Sequence, residues 1–309
     1  MRADKIAIRQ PVRMLIVGYP GTAKTGMIAS LANVGYKIRM LDYDGNSQSL
    51  LEYTDKDKLA NIDIVYLEDK MRNGDRFIET TGIPTAFRAG LDLMDEWKYT
   101  EPNGTEVNLG KSKDWGCDTI VVLDSMGSMG DASMLRQMAL SNKTPLNNTD
   151  GVWGLAMNQQ EAFIKRLTSE NNNFHIIVLS HLKMIGPRDT RKGEDDLTKD
   201  LKERIAALVD TRLFPSALGH VLPPVIGGHF PVLLEASNEF DARGVQKQVI
   251  RIQSRPELDL KLPSKNRLSF DKASITDGLA KIFAELAPPL ETCREKAGVL
   301  DAKTEEKKV

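Results

Sequence analysis

Residues 18–25 follow an apolar run and carry the side chains best suited to hold a phosphate group. They are Gly18, Tyr19, Pro20, Gly21, Thr22, Ala23, Lys24 and Thr25. A loop that joins a strand to a helix offers backbone N–H groups to anionic oxygens. The Lys24 ammonium would add positive charge for the outer phosphates, and the Thr25 hydroxyl would hold Mg²⁺. We therefore predict that residues 18–25, together with Gly26, bind the phosphates of ATP.

One residue departs from the usual phosphate-loop pattern, which has a second glycine where this chain has Ala23. Alanine fits there at small cost if its backbone φ is negative, because only a positive φ favours glycine. The departure puts the rate of ATP turnover in question more than nucleotide binding. The alternative interpretation is an ordinary strand, turn and helix with a lysine at the turn.

Two carboxylate groups follow apolar runs further along the chain. Asp124 ends the run 119–124, and with Thr25 it is the predicted metal-binding pair. The alternative is an aspartate that caps the next helix. Asp42 and Asp44 end the run 36–42, and one of them would polarise the attacking water. The alternative for Asp44 is turn formation, since a glycine follows it.

A histidine ends a third run. His181 follows residues 175–180, where its ring would touch the γ-phosphate, although a lone histidine is often a satisfied structural residue. Ligands of parallel sheets bind at the carboxyl ends of the strands. The chain places polar side chains at that end repeatedly, after the loop strand and after the runs that end in Asp44, Asp124 and His181.

The elements that must position these residues alternate between strand and helix, which indicates an α/β protein with a parallel sheet. Apolar runs predict strands at residues 13–17, 36–42, 62–67, 119–124, 175–181, 209–213, 232–236 and 245–253. Helical spacing of apolar residues predicts helices at 24–32, 83–97, 131–141, 153–167 and 275–287. Residues 99–114 are polar and predict an exposed hairpin or loop.

Composition limits the function classes. The 309 residues include 42 basic and 43 acidic side chains, so no overall basic field draws the protein to nucleic acid. No apolar stretch approaches 18 residues and no signal segment is evident, which predicts no membrane partner. Cys117 and Cys293 lie far apart without metal-binding spacing, so we expect no disulfide and a reducing, cytoplasmic setting.

The order of these motifs resembles the RecA-like ATPase core, and more narrowly the phage AAA-type, RecA-like NTPases that include single-strand annealing proteins. The resemblance covers about residues 12–270 and is carried by the loop and by residues 41–44, 120–125 and 176–181. It implies a mainly parallel central sheet flanked by helices. It also implies an Mg²⁺-dependent ATPase that forms a homo-oligomeric ring or filament on single-stranded DNA in phage recombination or replication, in the host cytoplasm.

The resemblance also implies residue roles. Asp44 matches the water-activating acidic residue, which is Glu in RecA proteins, and His181 matches the γ-phosphate sensor. Residues 185–204 match a loop that lines the DNA channel, but their charge is mixed. Lys265 and Arg267, two residues apart on one face of a strand, match fingers that reach a neighbour's γ-phosphate; the alternative is a solvated charged turn.

We expect residues 1–287 to form the ATPase domain, with an antiparallel extension from about 230, and residues 288–309 to form a flexible tail. Two other functions fit the residues. A nucleotide-gated assembly or regulatory protein without DNA binding suits the balanced charge and the aromatic content of 6%. A nucleotide kinase would need an arginine-rich lid, for which residues 188–204 are the candidate.

Overall fold

A computed structural model describes residues 10–73, 78–143, 150–185, 212–252, 268, 272–274 and 278–294. The strands are β1 (Arg13–Gly18), β2 (Lys37–Asp42), β3 (Ile62–Tyr66), β4 (Met71–Asn73), β5 (Ile78–Thr80), β6 (Glu96–Thr100), β7 (Glu106–Lys111), β8 (Thr119–Asp124), β9 (His175–Ile185), β10 (Arg212–Pro215), β11 (Val232–Phe240), β12 (Gln246–Arg251) and β13 (Lys272–Ser274). The α-helices are α1 (Ala29–Asn33), α2 (Gln48–Tyr53), α3 (Ala86–Leu93), α4 (Met126–Leu140), α5 (Asp150–Leu167), α6 (Leu222–Ile226) and α7 (Gly278–Leu286).

One large sheet organises the molecule, with the strand order β13-β12-β11-β1-β9-β8-β2-β3. The strands from β11 to β3 in this order are all parallel, and β12 and β13 extend the sheet in antiparallel fashion. Strand β10 pairs antiparallel with β9. The predicted α/β class with a mainly parallel sheet is confirmed, whereas the division into domain and tail stays a prediction.

Both faces of the sheet are covered. Along β1 the side chains of Leu15 and Val17 enter one apolar core, and those of Met14 and Ile16 enter the other. Successive side chains of a strand point to opposite faces, so a strand with a core on each side reads as a continuous apolar run. Helices α1 and α7 contact each other over the Met14 face, and α4 packs against α3 and α5 over the opposite face.

The register of the parallel strands brings the predicted site residues to one edge. Gly18 at the end of β1 lies opposite His181 of β9, and Asp42 at the end of β2 lies opposite Asp124 of β8. Strand β9 lies between β1 and β8. The carboxyl ends of β1, β2 and β8 therefore lie at one edge together with His181 of β9, next to the loop that follows β1.

Three predicted helices differ from the structure, and one of them is α4, which begins at Met126 rather than at residue 131. Within residues 83–97, only Ala86–Leu93 form a helix (α3), and the chain then enters β6 at Glu96. We attribute the change to Trp97, which is buried and whose indole N–H donates to Asp63 Oδ1 at 2.5 Å. The segment after the loop begins as a 3₁₀ turn, Gly26–Ile28, before α1. The predicted hairpin near residues 99–114 is present as β6 and β7.

The expectation that the cysteines stay unpaired is wrong. Cys117 and Cys293 form a disulfide, with their Cα atoms 5.1 Å apart. Their separation of 176 residues in sequence says nothing of their distance in space, because Cys117 precedes β8 and Cys293 lies in the segment that follows α7. None of the helices in the described part of the chain has both the length and the apolar character that a membrane crossing requires.

Candidate nucleotide site

The loop after β1 is shaped by close backbone contacts. A Cβ atom added at Gly18 would lie 2.5 Å from the carbonyl oxygen of Ala236, so only glycine fits where β1 passes β11. Gly21 has a φ of +77°. The Thr22 hydroxyl donates to the carbonyl of Tyr19 at 2.8 Å and ties the two sides of the turn together. Tyr19 itself is exposed, as is Pro20.

Ala23 does not have the negative φ that would make an alanine inexpensive. Its φ is +55°, in the left-handed region that favours glycine. An L-residue held there costs about 1–2 kcal/mol. Residues in this conformation help to turn successive N–H groups toward one point, which is the geometry of an anion-binding nest. Ala23 therefore keeps the backbone conformation of the missing glycine at the expense of some stability.

Lys24 is buried within the loop. Its ammonium donates to the carbonyl oxygens of Gly18 at 3.1 Å and Tyr19 at 3.0 Å, and lies 3.3 Å from Nδ1 of His181. Burial lowers the pKa of the Lys24 ammonium, while the charges of Asp124 and Asp44 oppose that shift. The ammonium thus lies among the carboxylates and the histidine that end the neighbouring strands.

Thr25 and Asp124 are in direct contact. The Thr25 hydroxyl donates to Oδ2 of Asp124 at 2.5 Å, and joins the start of the helical segment to the end of β8. Burial raises the pKa of Asp124 to about 7, and the charges of Asp44 and Asp42 add to the effect. Asp124 does not cap α4; the cap is Ser125, whose hydroxyl accepts from the backbone N–H of Ser128.

Asp42, which ends β2, and Asp44, which follows it, have different structural roles. Oδ1 of Asp42 accepts from the backbone N–H groups of Asp44 at 3.0 Å and Gly45 at 2.8 Å, so Asp42 forms the turn. Its other oxygen, Oδ2, is buried and has no hydrogen-bond partner among the described residues. The side chain of Asp44 is not needed for this turn and instead contacts Ser125, directly after β8.

Asp44 is held by three side chains. Its Oδ1 accepts from the hydroxyls of Ser125, at 3.0 Å, and of Ser128, and its Oδ2 lies 3.5 Å from Nε2 of His181. Burial alone would raise the pKa of Asp44, but these hydrogen bonds outweigh it and the pKa is lowered. Since Lys24 donates toward Nδ1, the assigned tautomer of His181 carries its proton on Nε2, facing Asp44.

Sequence reasoning missed Ser128 as part of this network and noted Ser125 only as a neighbour of Asp124. A signal was present, because two serines three residues apart at a helix start both point toward the preceding strand end. The partner on the other element, Asp44, is 84 residues away from Ser128 in sequence. Only the pairing of β2 with β8 reveals that contact.

Gly26 closes the loop against a different part of the chain. A Cβ atom added there would lie 2.8 Å from Cδ2 of Tyr53, so the tyrosine ring at the end of α2 packs on the first turn after the loop. Of the remaining predicted site residues, Lys265 and Arg267 lie outside the described residues, as do residues 186–204 of the proposed channel loop.

Comparisons with known proteins give a family match and several similar solved structures. A family model described as an AAA domain (AAA_24) matches residues 10–267. Comparison with curated proteins gives no match. A solved structure similar to this chain is the flagellar accessory protein FlaH from Methanocaldococcus jannaschii, at 10% identity over 79% of each chain and a TM-score of 0.32.

Two further solved structures are similar. The RadB recombinase is 12% identical over 81% of this chain and 84% of its own, with a TM-score of 0.37. A prototypical ATPase from the type III secretion system of pathogenic bacteria is 10% identical over 93% of this chain and 63% of its own, with a TM-score of 0.33.

Proposed function

Because the chain belongs to the AAA domain family and has a RecA-like P-loop core, we propose that it binds ATP with Mg²⁺ and hydrolyses it. The observation that carries the proposal is the meeting of Lys24, Thr25, Asp124, Asp44 and His181 at one edge of the sheet. A phosphate cradle, a metal-binding pair, an acidic residue for water and a contact for the outer phosphate are the parts that phosphoryl transfer needs.

The residues present fit Mg²⁺. This ion prefers oxygen ligands, keeps several waters and takes only one or two carboxylates from the protein. The Thr25 hydroxyl and the Asp124 carboxylate are such oxygens. The buried Oδ2 of Asp42, which has no hydrogen-bond partner in the described part of the chain, adds negative charge close by. The described residues contain no group of three or more acidic, histidine or cysteine side chains arranged for a metal. When bound, the ion neutralises charge on the phosphate oxygens.

Asp44 is the residue that we assign to the attacking water. Its lowered pKa keeps the carboxylate ionised at neutral pH, so it accepts a hydrogen bond from water and orients it rather than acting as a strong base. Ser125 and Ser128 fix the carboxylate in place. The water oxygen bonds to the terminal phosphorus as the bond to the bridging oxygen breaks, which gives ADP and inorganic phosphate.

Lys24 and His181 form the other side of the proposed site. The ammonium of Lys24 supplies positive charge to the outer phosphates. His181 bridges Lys24 and Asp44, so its ring would report the presence of the terminal phosphate to both. The histidine side chain is 37% exposed, which leaves it accessible from the edge of the sheet.

We further propose that the protein forms a homo-oligomeric ring or filament and acts on single-stranded DNA in phage recombination or replication. In this assembly Lys265 and Arg267 reach the nucleotide of the neighbouring subunit. The support is the resemblance of the motifs to those of phage RecA-like NTPases, together with the family membership. A cytoplasmic location suits an enzyme that consumes ATP and acts on DNA, but the disulfide weighs against it, since such bonds are uncommon there.

A nucleotide-gated assembly protein without DNA binding is the second candidate. The formal net charge of −1 favours it, because sequence-independent DNA binding depends on Lys and Arg that neutralise phosphates. Binding to an oligonucleotide at increasing salt separates the two candidates. Affinity that falls steeply with salt supports DNA binding, and no measurable affinity at low salt supports the second candidate.

The direct test of the ATP site is Lys24→Ala. We expect ATP affinity to fall by at least about 100-fold, since charge-assisted hydrogen bonds to phosphate are lost, as measured by calorimetric titration. Lys37→Ala is the matched control, because Lys37 is a half-exposed lysine that pairs with Asp118 at the opposite end of the sheet. Equal ATP affinity in Lys24→Ala and the native protein would contradict the phosphate-loop assignment.

A further inference from the structure

Gln160, within helix α5, is a buried polar residue that lies outside the proposed site. Its side chain is fully buried, and both ends of its amide are hydrogen-bonded. Nε2 donates to the carbonyl oxygen of Met126 at 2.7 Å, and Oε1 accepts from the backbone N–H of Leu218 at 2.9 Å. Only this orientation of the amide satisfies both backbone groups. A buried amide without such partners is destabilising, so the two bonds account for a glutamine at this position.

The first partner of the amide lies at the start of α4, among the groups that hold Asp44. Met126 directly follows Ser125 and lies two residues before Ser128, and the hydroxyls of both serines donate to Oδ1 of Asp44. The bond from Gln160 therefore fixes the stretch of backbone from which these two hydroxyls project.

The second partner lies in the segment that follows β10, next to His181. The backbone N–H of Ser216, two residues before Leu218, donates to the carbonyl oxygen of His181 at 2.7 Å. This segment also lies against the start of α4, since a Cβ atom added at Gly127 would be 3.0 Å from Oγ of Ser216. The Gln160 amide therefore also fixes the backbone segment that supports His181.

The contact between α4 and α5 is close at this amide. A Cβ atom added at Gly130 of α4 would lie 2.6 Å from Nε2 of Gln160, so the amide packs directly on the glycine. Ser133, also fully buried, joins the same two helices, because its hydroxyl donates to the carbonyl oxygen of Ala156 at 3.2 Å. The Ser133 bond links α4 to α5 alone, whereas Gln160 links both helices to the segment after β10.

From these contacts we infer that Gln160 is a positioning residue for ATP hydrolysis. By joining the start of α4 to the segment after β10, it sets the separation of Asp44 and His181, the two groups assigned to the water and the terminal phosphate. Gln160 acts through the backbone of Met126 and Leu218 and contacts neither ATP nor the water. The inference rests on the proposed function, since Asp44 and His181 act on a phosphate only if the loop binds ATP.

The test replaces the amide with an apolar side chain of similar size, Gln160→Met, which removes both hydrogen bonds. We expect ATP turnover, measured as phosphate release at saturating ATP, to fall about tenfold or more, because a misplacement of about 1 Å costs about 100-fold in rate. ATP affinity, measured by calorimetric titration, should stay within about threefold, since the loop and Lys24 are unchanged.

A second variant, Gln160→Asn, gives the same comparison if Gln160→Met does not fold. Its amide is one methylene group shorter, so it keeps a polar group but cannot reach both Met126 and Leu218. We expect its turnover to fall in the same way while its ATP affinity stays near the native value.

Ser133→Ala is the matched control, because it removes a buried hydrogen bond between the same two helices. We expect its turnover to equal that of the native protein. Urea unfolding of each variant shows how much stability is lost. A purely structural role for Gln160 would lower stability and leave the turnover of the folded protein unchanged, as in Ser133→Ala.

The pattern of turnover and affinity separates the positioning role from the ATP site. Native turnover in the folded Gln160 variants, or an equal fall in Ser133→Ala, overturns the positioning role while the ATP site stands. A fall in ATP affinity as large as the fall in turnover also overturns it, because Gln160 would then support binding. If the native protein hydrolyses no ATP, the proposed function fails and the role of Gln160 falls with it.

Discussion

The two histidines of strand β9 lie in opposite surroundings: His175 is its first residue, and His181 is its last residue that pairs with β1, at the carboxyl edge of the parallel sheet. His175, at the amino end, is fully buried; its Nδ1 accepts from the Val12 N–H and its Nε2 donates to the Cys117 carbonyl, both at 2.8 Å. Burial lowers the pKa of His175 to about 4. His181, at the carboxyl end, is partly exposed and lies between Lys24 and Asp44 at longer distances.

This difference indicates that the amino end of the sheet contributes stability, whereas the carboxyl end holds the proposed site. At the amino end, Asp118 pairs with Lys37 at 2.8 Å, and Tyr36 and Phe283 pack edge-to-face around His175. At the carboxyl end, Asp124 is buried close to the carboxylates of Asp44 and Asp42. Burial and these two negative charges raise its pKa. Strand β8 shows the same contrast between Asp118, which precedes it, and Asp124, which ends it.

The largest expected effect comes from changing the carboxyl end. Asp44→Asn should lower ATP turnover by about 100-fold or more, because the amide no longer orients water as a charged acceptor does. Its ATP affinity should stay within about threefold. Turnover is measured as phosphate release, with affinity measured separately.

Asp118→Asn at the amino end is the control for this change, since the side-chain contacts of Asp118 are with Lys37 and Thr119, away from the proposed site. We expect its turnover to match that of the native protein. If Asp44→Asn hydrolyses ATP at the native rate, Asp44 does not orient the attacking water. The amino and carboxyl ends of the sheet would then not differ in the way proposed.

The next effect concerns stability at the amino end. The pKa of His175 in the folded state, about 4, lies below its ordinary value of 6.5, so the unfolded chain binds the proton first as the pH falls. Stability is complete above pH 6.5 and is lost as the pH falls toward 4, by about 3 kcal/mol. His175→Gln can keep both hydrogen bonds without titrating, so its free energy of unfolding should fall less over this range.

Urea unfolding at pH 7 and at about pH 4.5, within the range where His175 opposes folding, measures this difference. His181→Gln is the matched variant at the other histidine of β9, and we expect its free energy of unfolding at pH 7 to change by less than about 1 kcal/mol. If His175→Gln and the native protein lose stability equally between the two pH values, His175 is not the group whose protonation opposes folding.

The smallest effect tests the one strained residue of the loop. Ala23→Gly should raise the free energy of unfolding by about 0.5–1 kcal/mol, since glycine adopts the φ of +55° without a Cβ clash. Asn142→Gly is the control, because Asn142 also has a positive φ, of 51°, but asparagine tolerates that region better. A loss of stability in Ala23→Gly would show that the loop is not strained at this residue.

The carboxyl edge of the sheet could be predicted from sequence because the apolar runs of β8 and β9 lead directly to the polar residues Asp124 and His181. Together with the acidic residues at and after the end of β2, that pattern groups Asp44, Asp124 and His181 with the loop. The backbone of Ala23 could not be predicted from its residue type, since φ is set by the surrounding turn. The spacing of Trp97 predicts a helix, but its contact with Asp63, 34 residues away, decides for a strand.

The bond between Cys117 and Cys293 divides the sheet into two topological classes of strand. Strands β8 to β13 belong to one covalent ring, whereas β1, β2 and β3 precede it. Strand β1 nevertheless lies between two ring members, β9 and β11. A single cleavage of the chain within the ring leaves its fragments joined, but a cleavage between the loop and Cys117 leaves the phosphate-binding strand held in the sheet by hydrogen bonds and packing alone.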